Sequence, residues 1–531
     1  MRVKDGEQPA MEEGVPADAV GRRIACDGEI ATVLFVGMVP PTKGLWLGVE
    51  WDNPERGKHD GCHEGVRYFT CSHPTGGSFV RPKKASFGVD YVTALKLRYE
   101  REREGTEPVI KGIAVDYRYQ KLSNKQKAEN LREVALRRCE VWGATPGDDI
   151  KNTTPDVEFL DLSHNLLWSW EPLAAITEQL PELTGLHLGY NRLSVPSDPS
   201  SLRHAFANLK VLILQGCGLT WPQVLQCAGM WPQVEELYLE RNNITQLQRP
   251  VDVLQSLTTL DLTNNPIASE TLPEISALSG LKTLVLADTG LSTIEFNDVP
   301  AGSKTAMFPA LQNLALRDNN ITEWRVLNEL EKLASLEHLM VQRNPLIESG
   351  ERNPETAWQI TIARIGQLHT LNSRQIDPVE RRGAERDYLK MFGKQWLESG
   401  GHWDPEKNNP GAAFLAEHPR YLALIQKHGA PDEGELVTKK PFALKNQLLN
   451  LTFTCPDDTD RKPIPKKLPC SMELQKVKGL LHRLLKLPGV DLHLSYTGTR
   501  MEGAEVEMDN DLKELQFYSI EDGDSILVRW S

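Results

Sequence analysis

Long apolar runs are missing. Nowhere does the 531-residue chain hold the roughly 18 consecutive apolar residues that a membrane-crossing helix needs, and its first 20 residues contain no leader-like apolar core. A cytoplasmic protein without membrane insertion is therefore expected. Cysteine is sparse and scattered (26, 62, 71, 139, 217, 227, 455 and 470), and no CxxC pair occurs, so the sequence offers neither a zinc ribbon nor a disulfide framework. Basic charge is in deficit, with 60 Lys and Arg against 73 Asp and Glu. The resulting net charge of −13 disfavours nucleic acid and anionic membranes, which need a basic surface. A local basic patch keeps its force on a docking peptide, because distant carboxylates are screened beyond about 8 Å at physiological salt. The phosphate loop G-x-x-x-x-G-K-[ST], the helix H-E-x-x-H and the elbow G-x-S-x-G are also absent. Histidines and carboxylates form no convincing constellation, so neither intrinsic catalysis nor a cofactor is expected.

What is present is an ordinary globular composition, 40% hydrophobic and 25% charged, in a chain long enough for about three or four domains. The dominant pattern is L-x-x-L-x-L-x-x-N/C-x-L. It begins at Leu131, Val157, Leu183, Leu209, Val234, Leu257, Leu281, Leu311 and Leu336. Starts about 23 to 30 residues apart define a leucine-rich-repeat array, placed at 126–350. Each L-x-L pair turns two side chains inward around one facing out, as a short parallel strand requires. Asn165, Asn191, Asn242, Asn265, Asn319 and Asn344 are expected to satisfy backbone groups where the chain leaves the strand, with Cys139, Cys217 and Thr289 as substitutes. The longest interval holds FNDVPAGSKTAMFP, an insertion and candidate contact site.

Ile360, Ile362, Ile365, Leu368 and Leu371 are expected to close the end of the repeat core, within a cap at 351–398. A long helix is predicted from Pro378 to about Glu398, ahead of Ser-Gly-Gly. Residues 399–444 read as a linker with short helices. Beyond them NQLLNLTFTC, a helix with Ser471 as N-cap, VDLHLSYTG and DGDSILVRW give the order strand, helix, strands. Residues 445–531 thus resemble a ubiquitin-like β-grasp domain. The sequence closes on Trp530-Ser531 rather than Gly-Gly, so conjugation to other proteins is not expected.

The N-terminal part is of another kind. Residues 1–18 are expected to be disordered, 19–98 to form a small all-β module rich in Gly, Val, Phe and Trp, and 99–125 to be a linker. The stretch GLWLGVEWDNPERGKHDG, followed by YF and GGSFVRP, resembles a CAP-Gly domain whose GKNDG loop here reads GKHDG: Gly57, Lys58, His59, Asp60 and Gly61. That resemblance implies a groove for acidic, aromatic-ended C-terminal tails of tubulin and of some microtubule-tip proteins. Glycines let backbone come close to an extended peptide, and Lys58 can meet a carboxylate. Trp46, Trp51, Phe69 and Phe79 are candidates for the aromatic pocket, with core packing at least as good a reading. Arg81, Lys83 and Lys84 add basic charge. His59 changes the donor that the family places in the loop, although imidazole can also donate. His59, Cys62, His63, Cys71 and His73 lie close in sequence, but their spacing fits no usual zinc pattern, and no metal is expected.

The expected class is thus multidomain: an all-β CAP-Gly module, an α/β leucine-rich-repeat solenoid and an α+β ubiquitin-like domain. In that order the three resemble the tubulin-folding cofactor E family across essentially the whole chain. The resemblance implies a cytoplasmic, cytoskeleton-associated chaperone that captures α-tubulin. It also implies that the chain assembles or dissociates the α/β heterodimer with cofactors D, C and B and a small Arf-like GTPase. The tail would sit in the groove and the tubulin body on the concave repeat face, for which Tyr190, Tyr238, Glu240, Arg241, Arg317 and Arg343 are candidates. A CAP-Gly microtubule-tip adaptor without chaperone activity is the alternative.

Overall fold

The computed structural model describes residues 14–103, 130–145, 147–348, 353–432, 436, 448–458, 460–487, 489–497, 505–518, 520 and 522–530. The chain forms two compact units, Met1–Pro431 and Asp432–Ser531. In the first, all nine L-x-L segments become three-residue strands, from Glu133–Ala135 to His338–Met340, paired in parallel with their leucines in register. A tenth parallel strand, Thr370–Leu371, and an antiparallel edge, Arg374–Gln375, complete an eleven-stranded sheet among the described residues. Leu160, Leu162, Leu186, Leu188, Leu237 and Leu260 are wholly buried. Burying each such side chain is worth roughly 1.5–3 kcal/mol, so the repeating leucines are the main source of the array's stability. Trp170, Trp221 and Trp231 fill the layer behind the strands.

The asparagines do what their position demands. Asn265 is fully buried; its Oδ1 accepts from the backbone of Asn242 and Ile244, both at 2.9 Å, and its Nδ2 donates to Leu239 O at 2.9 Å and Leu262 O at 3.0 Å. Each asparagine therefore stitches its own turn to the one before it, in a place where water has no access. Cys217 reproduces only part of this, donating from Sγ to Leu188 O at 3.4 Å. Thr289 donates to Leu286 O at 2.8 Å.

The two ends of the array differ from the sequence expectation. Val89 pairs in parallel with Val141, and the helix Tyr91–Arg103 buries Tyr91, Val92, Ala94 and Leu95 in the repeat core. The boundary expected at 98 thus cuts through an element of the array, and residues 99–103 are helix rather than linker; 104–125 lie outside the described residues. Val15 is buried with the small module's core, so the stretch 1–18 is ordered at least from residue 14, while 1–13 lie outside the described residues.

At the other end, Ile362, Ile365, Leu368 and Leu371 close the repeat core, and Ile360 faces a second cluster with Tyr388, Trp396 and Tyr421. The helix Pro378–Glu398 starts at an Asp377 cap whose side chain accepts from Val379 N. Within the expected linker, the helices Ala412–Glu417 and Tyr421–His428 pack on this helix. The fully buried Glu385 carboxylate meets Lys427 and His428, each at 2.7 Å, and Arg420 at 3.3 Å. A charge buried that deeply needs such pairing, so these helices are part of the folded cap. Residues 433–435 and 437–444 of that linker lie outside the described residues.

The insertion after Ile294 also folds back. Phe296 and Phe308 are buried edge to face, and Lys332 Nζ donates to Phe296 O at 2.8 Å. The loop is thus anchored on the array through its two phenylalanines, while Asn297, Asp298 and residues 300–302 stay exposed.

The second unit is a five-stranded mixed sheet in the order 464–469, 448–454, 525–530, 492–497, 505–508. The helix Leu474–Leu485 packs Leu474, Val477, Leu481 and Leu485 on Leu451, Phe453, Ile526 and Val528. Glu473, not Ser471, holds the N-cap position.

Candidate functional site

Four antiparallel strands, Arg23–Cys26, Glu29–Met38, Leu45–Trp51 and Gly77–Val80, carry the small module. Ring centroids of six residues surround Phe79: His59 at 5.2 Å, Phe69 at 5.4 Å, Tyr68 at 5.5 Å, His63 at 6.0 Å, Trp46 at 6.3 Å and Phe35 at 6.4 Å. Most of these rings are half-exposed, so the cluster presents an aromatic surface as well as a packed one. The Arg81 guanidinium lies 3.7 Å above Trp46, and the indole donates to Thr42 Oγ1 at 2.7 Å. Cation–π contact thereby fixes a positive charge at the edge of the cluster.

The GKHDG loop is held from behind. Lys58 N donates to Gly77 O at 2.7 Å and Gly77 N to His59 O at 2.7 Å, binding the loop to the strand that bears Phe79. Asp60 accepts from Cys62 N at 3.2 Å and from Arg67 Nη2 at 2.7 Å; these bonds hold its carboxyl down at about 2. Asp60 is a fastener of the loop. His59 Nδ1 accepts from Gly61 N at 3.0 Å, which fixes the neutral tautomer with the proton on Nε2. Burial, and then the neighbouring His63, push its pKa down, Asp60 opposing and Lys58 adding to the effect. His59 is therefore a neutral donor near pH 7. Lys58 is exposed, and its ammonium has no partner among the described residues.

Several expectations need correction. Gly57 and Gly61 serve the loop's approach to its own chain: a Cβ on Gly57 would stand 1.9 Å from Thr75 O, and one on Gly61 would stand 2.1 Å from Phe69 O. Trp51 is buried in the module's core and capped by Arg56 at 4.3 Å, so it lines no groove. Phe69 is likewise buried, supporting the cluster from beneath. Phe35, Tyr68 and His63 were missing from the sequence-based set. Phe35 and Phe79 both align with Gly48 across adjacent strands, so cross-strand register is the signal that finds Phe35.

The array candidates also separate. Tyr238 lies on a strand and donates to Glu236 Oε2 at 2.8 Å. Glu240 and Arg317 each stand two residues beyond the end of their strands. Tyr190, Arg241 and Arg343 occupy the turn before the buried asparagine, with φ of 61°, 57° and 55°, so they mark the rim of the concave face. Arg343 is paired with Asp318, Nη2 to Oδ2 at 2.7 Å. His164 stacks on Tyr190 with centroids 4.2 Å apart along the same rim.

Desolvation, then the Asp261 charge, raises Glu240 to about 7. A carboxyl raised on folding costs nothing below its unfolded value of 4.5; the cost grows as the pH climbs from there to about 7 and is fully present above it. Glu240→Gln is accordingly expected to raise the urea midpoint at pH 8 while leaving it unchanged at pH 4.5. An equal effect at both pH values would contradict that environment.

Among the described residues, no three His, Cys, Asp or Glu side chains form a metal-holding group. Nor is any helix there long and apolar enough to cross a membrane.

Residues 20–85 match the CAP-Gly domain family, and 256–278 match the Leucine Rich Repeat family. Tubulin-specific chaperone E of Danio rerio is 65% identical over 97% of this chain and 99% of its own length. The Homo sapiens protein of the same name is 49% identical over 98% of this chain and 100% of its own length. The chain belongs to the tubulin-specific chaperone E family. A solution structure of the C-terminal ubiquitin-like domain of mouse tubulin-specific chaperone e is 50% identical, covers 18% of this chain and 94% of its own, and has a TM-score of 0.16. The family matches cover the CAP-Gly module and the repeat solenoid, and the five-stranded mixed sheet with one helix packed on it is the β-grasp arrangement.

Proposed function

We propose that this chain is a tubulin-folding chaperone that holds α-tubulin at two places: its acidic C-terminal tail in the CAP-Gly groove and its folded body on the repeat array. Membership of the chaperone E family supports tubulin as client. The observation that carries the tail reading is the exposed, unpaired Lys58 ammonium, on the loop whose His59 ring packs on Phe79. A peptide ending in an aromatic residue can lay its ring against Phe79, Tyr68 and Trp46. Its carboxylates then meet Lys58, His59 Nε2–H and Arg81, as charge-assisted bonds require. Tyr238 on its strand, Glu240 and Arg317 just beyond theirs, and Tyr190, Arg241 and Arg343 on the rim supply the body contacts.

A micromolar tail contact corresponds to about 8 kcal/mol, weak enough to let the client go. A second contact on the same client raises avidity by about 10² to 10⁴. The reaction served is assembly and dissociation of the α/β heterodimer in the cytoplasm, with cofactors D, C and B and an Arf-like GTPase as partners. The chain itself acts as a non-catalytic folding cofactor.

Lys58→Ala is expected to weaken binding of an acidic, tyrosine-ended peptide by about tenfold, since a charge-assisted bond contributes roughly 1.5–3 kcal/mol. Titration at low salt measures it, and unchanged affinity would remove the tail reading.

A further inference from the structure

No linker separates the groove-bearing module from the repeats. Val89 N donates to Glu140 O at 2.9 Å, so the chain passes from the module straight into a strand of the array's first turn.

Side chains close the same junction on several sides. Trp142 and Trp168 stand in successive repeats with centroids 6.2 Å apart and a 28° interplanar angle. The Arg22 guanidinium of the module lies over both, at 5.2 and 4.6 Å, while Asp18 holds it at 2.7 Å. Asp52 is shared: its carboxylate accepts from the buried Arg23 of the module, at 2.7 Å through Nη1, and pairs with Arg192 Nε of the array at 3.1 Å. Ser86 Oγ donates to Glu140 Oε2 at 2.6 Å. None of these residues belongs to the aromatic cluster around Phe79.

We infer that Arg22 on Trp142 and Trp168, together with the Arg23–Asp52–Arg192 chain, locks the CAP-Gly groove and the repeat array into one rigid body that presents both contacts to a single client in fixed register. The identity of that client rests on the function proposed above; the lock does not. In a rigid arrangement the orientational freedom lies in the client's tail alone, so less entropy is lost at the second contact than with a hinged module. The partner that fits is one whose acidic, aromatic-ended terminus is joined by a flexible segment to a folded body.

The test uses the full chain. Methyl relaxation of Ile24, buried in the module, and of Ile244, buried in the array, is expected to give one common correlation time. In Arg22→Ala/Arg192→Ala the Ile24 value should fall below that of Ile244. Capture of α-tubulin should weaken at least tenfold, while affinity for the acidic tyrosine-ended peptide should stay within twofold. Trp168→Ala, made on the array side alone, removes the same platform without touching the module and should behave likewise. Different correlation times in the wild-type chain, or tubulin capture by both variants equal to wild type, would overturn the lock. If the wild-type chain holds no peptide at all, the client reading fails, and the correlation times still decide whether the lock exists.

Discussion

Gly61→Ala is expected to abolish binding of the acidic peptide, lowering affinity at least a hundredfold. Two costs combine at this position. Its φ of +100° lies where side chains are strained, and the added Cβ would meet the Phe69 carbonyl oxygen at 2.1 Å. Because the obstacle is backbone, relief requires the GKHDG loop to move away from the segment that carries Phe69. The Gly61 N–H bond that fixes His59 goes with it, as do the Asp60 contacts that position Lys58. Gly65 is the control: it also has a positive φ, +78°, but nothing lies within 4 Å of its missing Cβ. Gly65→Ala should therefore change peptide affinity by no more than a few fold. Titration of both variants measures the contrast, and equal losses would show that backbone strain, not the loop's seat on Phe69, governs the site.

The second large effect falls on the array. Asn265→Ala removes two acceptor and three donor contacts at a site without water, stranding the amides of Asn242 and Ile244 and the carbonyl of Leu262, while Leu239 O keeps its bond from Asn242 Nδ2 at 2.9 Å. At about 1–3 kcal/mol for each buried group left unpaired, with partial relaxation, a destabilisation of about 4 kcal/mol is expected. Asn265→Cys should cost less, because Cys217 already occupies the equivalent place and keeps one of these bonds through sulfur. Urea denaturation of the full chain measures the difference. An Asn265→Ala loss no greater than that of Asn265→Cys would contradict the stitching role.

The repeats were legible because their information is local: the pattern that buries Leu186 and Leu188 recurs within a few tens of residues, and each strand pairs with the next one along the chain. The helix from Pro378 to Glu398 was legible for the same reason, having a proline at its start and a Ser-Gly-Gly stop. The junction between Val89 and Val141 was not, since nothing near Val89 signals a partner beyond an intervening helix and the segment 104–129.

In the groove, the loop and Phe79 could be read from motif, but the division of labour among aromatics depends on strand geometry. Trp46 and Trp51 share one strand at odd spacing, so alternation sends them to opposite faces, one to the cluster and one to the core. Phe35 became visible only through its cross-strand row with Gly48 and Phe79. Gly57 and Gly61 were assigned to peptide approach because sequence shows that a glycine is there, not which backbone comes close to it.

The most direct test of the tail-in-groove claim is capture of α-tubulin by the intact chain, compared for tubulin with and without its last residue and repeated with Lys58→Ala. The expected result is strong capture of complete α-tubulin by the wild-type chain, with a loss of at least tenfold on removing either the terminal residue or the Lys58 ammonium and little further loss on removing both. Equal capture in all four combinations would contradict it.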